Sequence, residues 1–222
     1  MANNLSTPVD FGLLNKWNEV RKIKTKLKSV FDKAFNSFSF IRPASEAESL
    51  HIYFGYDDDN DDPHHHQIKF TIIDSVEDLP TEQYCNEINP LPNDDTKKSL
   101  EYFTEVQPGD SDQISVEVAI ARINNWKDKN KRDSWIDNSF NEKNEILQVY
   151  SVQKPDTSHG QTHICYLALK EDEGGNYFPD LIIVNADDNT LLNVEDIVYP
   201  VPPFKPNENN PVDAFGLLKQ LV

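Results

Sequence analysis

Glycine and cysteine are scarce in this chain. Only seven of the 222 residues are glycine and two are cysteine. Phosphate-cradling loops need closely spaced glycines, and neither a P-loop nor a dinucleotide-binding glycine pattern occurs. Cys85 and Cys165 are too few for a disulfide framework and lack the C-x-x-C spacing of zinc and redox sites. We interpret them as two ordinary thiols, with a single bridge between them as the alternative.

Long apolar runs and catalytic signatures are missing as well. No stretch approaches the roughly 18 residues that a transmembrane helix requires. The stretch from Met1 to Pro8 has neither the basic nor the apolar region of a signal peptide, so we expect a cytoplasmic protein without a membrane partner. The G-x-S-x-G and H-E-x-x-H motifs of hydrolases do not occur. The sequence therefore predicts no catalytic residue and no cofactor.

Basic residues are outnumbered, at 21 against 38 acidic residues, which gives a net charge of −17. Twelve of the 21 lie in two short stretches, residues 16–33 and 122–133, so the other 192 residues hold nine basic and 34 acidic groups. The basic stretches either balance the acidic body internally or form an anion-binding or partner-docking surface. Because most of the surface would repel phosphate, we expect no binding to nucleic acid.

Several short motifs occur twice, in the same order, about 110 residues apart. The pairs are Asn15-Lys16-Trp17 with Asn124-Asn125-Trp126, His51-Ile52 with His163-Ile164, Asp74 with Asp187, and Pro90-Leu91-Pro92 with Pro200-Val201-Pro202. This order predicts an internal duplication and an α+β fold of two similar units, each a helix followed by an antiparallel sheet. We place the units at 1–95 and 114–205, a linker at 96–113, and a short C-terminal helical tail at 206–222.

The first unit is predicted to begin with one amphipathic helix. Thr7-Pro8-Val9-Asp10 offers an N-cap, a first-turn proline and an acidic residue, and apolar side chains recur at steps of three or four as far as Ala34. Strands are predicted at 50–56 and 67–73, the second with Ile68, Phe70 and Ile72 inward. An element at 100–106 fits either a helix or a strand.

The second unit repeats this order. Ser115 can cap a helix that carries Trp126, a further helical stretch surrounds Trp135, and strands are predicted at 146–152, 162–169 and 181–184. The stretch 162–169 is apolar on both faces, which indicates a strand in the interior of a sheet. Residues 210–218 resemble the start of the first helix. Either a truncated third copy of that helix start or the common chemistry of helix caps accounts for the similarity. We expect Phe215, Leu218 and Leu221 to pack on the body.

The acidic and histidine-rich segment 57–66 is the candidate ligand site. The carboxylates of Asp57, Asp59 and Asp61 suit calcium or magnesium, whereas the imidazoles of His64 to His66 suit zinc, nickel or copper. A calcium-binding EF-hand loop starting at Asp57 would need glycine at Asp62 and glutamate at Ile68. We therefore favour a solvated hairpin tip, and a metal site that uses Asp57, Asp59, Asp61, His64 and His66 is the alternative.

His51 and His163 fall at matching places in the proposed repeat. His163 and Cys165 share a strand face, which suggests a cysteine nucleophile with a histidine base. Side chains two residues apart on one strand lie about 6.5 to 7 Å apart and run parallel, so they do not converge. We therefore interpret both histidines as residues at the start of a strand that touch solvent.

Several of these motifs together resemble a family of small uncharacterised bacterial proteins. They are residues 114–119 followed by Asn125-Trp126, the strand and turn at 51–57, and the proline motifs at 90–92 and 200–203. His51 stands where the family tends to have arginine, and Leu91 and Val201 replace the cysteine of its P-C-P motif. The family has no established activity, so the resemblance supports the duplication and implies no function.

Taken together, the residues predict an acidic, non-enzymatic protein that binds a protein partner or a small ligand. Long-range attraction would steer such a protein to a basic partner. The alternative is a metal-binding protein or metal-dependent enzyme that uses the segment 57–66.

Overall fold

The computed structural model has an α+β fold in which helices and antiparallel strands both occur. The residues that it describes are 6–33, 36–42, 47, 49–58, 68–78, 84–86, 88–90, 114–141, 146–153, 160–186, 198–201 and 215–220. The predicted linker, the element at 100–106, Leu221 and the tail before Phe215 lie outside these ranges.

Each half of the chain contributes a pair of helices: α1 (Phe11–Val20) and α2 (Lys24–Lys33), then α3 (Val116–Lys127) and α4 (Lys129–Asn141). Ser115 caps α3, as predicted. The cap of α1 is Asp10, whose carboxylate accepts hydrogen bonds from two backbone N–H groups of the first turn. Thr7 was wrongly predicted as the cap because it lies in a strand. The single helix predicted as far as Ala34 was also wrong, since the chain leaves the helix at residues 21–23 and Ile23 is 50% exposed.

The described strands form two antiparallel sheets. The strands are β1 (Ser6–Pro8), β2 (Ser37–Ile41), β3 (Ser49–Tyr56), β4 (Ile68–Asp74), β5 (Tyr84–Asn86), β6 (Ile88–Pro90), β7 (Val149–Gln153), β8 (Thr162–Glu171), β9 (Tyr177–Asn185) and β10 (Val198–Val201). The first sheet has the order β1-β5-β4-β3-β7-β10, and the second has the order β6-β2-β8-β9. The interior position predicted for β8 is confirmed, because it pairs with β2 on one side and β9 on the other.

The sheets exchange strands between the two halves of the chain. The hairpin of β3 and β4 is extended by β7 and β10 from the second half, whereas the hairpin of β8 and β9 is extended by β2 and β6 from the first. Along the chain, β2, β3, β4 and β6 of the first half correspond to β7, β8, β9 and β10 of the second half. With this correspondence, the orders β4-β3-β7-β10 and β9-β8-β2-β6 are the same. This agreement supports the duplication, which stays a prediction, as do the unit boundaries.

One large apolar core joins the two halves. Trp17 and Trp126 are each 1% exposed, as expected from their places on the apolar faces of their helices. The Phe31 ring of α2 contacts both indoles, with centroids 5.9 Å from Trp17 and 5.1 Å from Trp126. Phe38 of the second sheet stacks on Phe70 of the first at 4.2 Å, which shows that the inner faces of the sheets meet. Burial of these aromatic side chains supplies much of the apolar contribution to stability.

The outer face of each sheet carries a smaller apolar cluster. Side chains alternate between the two faces of a strand, so the neighbours of inward residues lie on the outer face. On the first sheet this cluster contains Val9, Leu14, Tyr53, Ile73, Val149, Phe215 and Leu217. On the second sheet it contains Ala119, Ile123, Tyr166, Ala168, Ile182 and Val184. The C-terminal residues therefore pack only against the first sheet among the described clusters.

Candidate functional site

The predicted metal segment is only partly described. Asp57 is half-buried at the end of β3, and Asp58 is exposed. The carboxylate of Asp58 lies 2.5 Å from the Lys16 ammonium, and this hydrogen bond lowers the pKa of Asp58 and raises that of Lys16. Asp59, Asp61, His64 and His66 lie outside the described residues. Within the described ranges, no group of three histidine, cysteine or acidic residues could hold a metal ion. The metal site stays a prediction.

The basic stretches are engaged by carboxylates of the same chain. The Lys28 and Lys24 ammonium groups of α2 lie 2.9 and 3.0 Å from Asp137 of α4. In the reverse direction, the Arg132 guanidinium of α4 lies 2.7 Å from Asp32 of α2. These pairs tie the second helix of one half to the second helix of the other. Between the two interpretations of the basic stretches, the structure therefore favours internal charge balance.

The same pairing shows in the pKa values of both aspartates. Hydrogen bonds from Lys28 and Lys24 hold the pKa of Asp137 below its ordinary value. Burial acts to raise the pKa of Asp32, but the hydrogen bonds from Lys129 and Arg132 together outweigh it and lower the pKa. Both carboxylates are therefore stabilised in the charged form by helices of the opposite half.

Cys165 does not have the surroundings of a nucleophile. Its thiol is free and completely buried, and burial raises its pKa well above the ordinary value. The thiolate is the reactive species, so this environment disfavours reaction. The disulfide that we kept as an alternative is wrong, because Cys165 is unbridged. Cys165 packs into the central core, on the inner face of its strand.

The two histidines lie on opposite faces of their strands. His163 stacks on Phe40 at 5.4 Å, on the inner side, whereas His51 contacts Phe215 of the outer cluster at 4.4 Å. The expected equivalence of His51 and His163 is therefore wrong, because equivalent positions would face the same side of their sheets. Both histidines are 0% exposed, so the expected contact with solvent is also wrong.

A buried polar cluster lies where the outer face of the first sheet meets the C-terminal segment. One carboxylate oxygen of Asp78 is 2.6 Å from Nδ1 of His51 and also accepts a hydrogen bond from the Tyr53 hydroxyl. The other oxygen accepts the backbone N–H of Leu217 at 2.9 Å. All three side chains are at most 2% exposed. Burial and the neighbouring Asp78 charge raise the pKa of Tyr53 well above its ordinary value, so its hydroxyl remains a donor.

This arrangement suits attachment of a peptide segment better than catalysis. Asp78, His51 and Tyr53 are enclosed by the C-terminal residues, and a general base must reach its substrate. A buried carboxylate needs several donors to offset the loss of water, and here one donor is main chain. Phe215 is buried, which confirms its predicted packing on the body, and Leu218 is half-buried, whereas the buried Leu217 was not predicted.

Asp78 was missed by sequence reasoning. It follows β4 in the short turn Ser75-Val76-Glu77-Asp78, and its backbone N–H donates to the carbonyl of Asp74 at 2.9 Å. Nothing local separates it from the other acidic residues of an acidic chain. Only the return of the C-terminus, 139 residues later, gives its carboxylate a main-chain donor.

Comparison with known proteins gives no assignment for this chain. No family model, curated protein or solved structure matches it significantly. Of the helices described, none has the length and apolar character needed to cross a membrane.

Proposed function

We propose that this chain is a non-enzymatic, cytoplasmic binding protein whose partner presents a basic surface. The observation that carries the proposal is the internal use of the basic helices. Lys24 and Lys28 face Asp137, and Arg132 faces Asp32, so part of the most concentrated positive charge is already paired within the chain. The chain as a whole keeps a net charge of −17, and this acidic excess is left to act on a partner.

Charge of this kind acts mainly on the rate at which two proteins meet and associate. Complementary potentials raise the association rate and exclude partners of like charge, and salt weakens both effects. A basic protein segment is therefore favoured over nucleic acid, which carries the same sign as this surface. The buried polar cluster at Asp78 is enclosed, so it provides no site for chemistry that would favour an enzyme.

Titration with a lysine-rich peptide of fixed length tests this proposal. We expect binding at about 20 mM salt that weakens at least tenfold by about 200 mM, because the Debye length falls over this range. A peptide of the same length with glutamate in place of lysine should not bind. Equal affinity for the lysine-rich and a neutral peptide, or no binding at low salt, would contradict the proposal.

The turn between β8 and β9 offers a matched variant. Glu171 and Glu173 are exposed, while Asp172 holds the turn through hydrogen bonds from the N–H groups of Gly174 and Asn176. The double change Glu171→Gln with Glu173→Gln keeps this turn and removes two charges. We expect it to reduce the affinity for the basic peptide without changing the thermal midpoint, whereas Thr162→Ser, at the other end of β8, should change neither.

A further inference from the structure

We draw no further inference here: the strongest candidate, the pair of hydroxyls of Ser49 and Ser151 beside His51 on the outer face of the first sheet, is buried, and nothing in the described part of the chain shows an opening that would admit a ligand to it.

Discussion

The indole Nε1 of Trp17 donates a hydrogen bond of 3.0 Å to the carbonyl oxygen of Leu147, 130 residues later in the chain. Trp17 belongs to the first helix and Leu147 lies just before β7, so this bond attaches a helix of the first half to a strand segment of the second. The Arg21 guanidinium of the same helix region donates to the neighbouring carbonyl of Ile146 at 2.9 Å. The segment that leads into β7 is thereby fixed to α1 and the residue that follows it through two consecutive carbonyl groups.

The two buried tryptophans should respond differently to the same substitution. Trp17→Phe removes the donor to Leu147, whereas no described acceptor lies within hydrogen-bond distance of Nε1 of Trp126. Both changes remove the same ring volume, so we expect Trp17→Phe to cost about 1 to 2 kcal/mol more than Trp126→Phe. Urea unfolding gives the difference. Equal costs would indicate that the Leu147 bond contributes nothing. Either alanine variant should cost about 3 to 5 kcal/mol.

Acid should weaken the contact between α2 and α4. The pKa values of Asp32 and Asp137 are lowered in the folded protein, so the unfolded chain binds protons first as the pH falls. Their contribution is complete above the ordinary aspartate pKa of about 3.9 and is lost as the pH falls through the folded values. We expect Asp32→Asn with Asp137→Asn to flatten the fall in thermal midpoint below about pH 4. If the thermal midpoint of the double variant fell with pH as steeply as that of the wild type, the prediction would be wrong. The matched control is Glu173→Gln, at an exposed position in the turn between β8 and β9.

Cys165 should be unreactive in the folded protein. It is fully buried and its pKa is raised by burial, so little thiolate forms and reagents do not reach it. In a Cys85→Ser variant we expect no reaction with Ellman's reagent at pH 8 before denaturant is added, and one thiol after. Rapid labelling of the native variant would show that the strand opens or that the thiol is exposed.

The segment 57–66 should not hold a metal ion tightly. Its like charges repel, its ligands lack a defined spacing, and Asp58 is already paired with Lys16 at 2.5 Å. Calorimetric titration with calcium and with zinc should show no site tighter than about 10 µM, well short of tight calcium sites. A stoichiometric, tighter isotherm that Asp59→Asn with His64→Gln abolishes would restore the metal-binding alternative.

Local sequence patterns predicted which helices and strands occur better than they predicted where each begins and ends. The caps and periodicity around Ser115 and Trp126 gave α3, and the alternation of Ile68, Phe70 and Ile72 gave β4 with its correct inner face. β2 was missed because its short run followed an apparent helix, although Phe38 and Phe40 alternate with Ser37 and Ser39. At 181–184 the predicted strand was too short, since β9 begins with the half-buried Tyr177 and includes Pro179.

By itself the sequence determined the class of fold, the positions of most helices and strands, the acidic balance and the burial of Trp17 and Trp126. These follow from side-chain periodicity and capping, which act over a few residues. The tertiary structure alone decided that β2 pairs with β8 and β3 with β7, that His51 faces outward and His163 inward, and that Asp78 receives the N–H of Leu217. These strand pairings and the Asp78 contact join residues 96 or more positions apart, and the partners are selected by packing across the whole core and not by any local pattern.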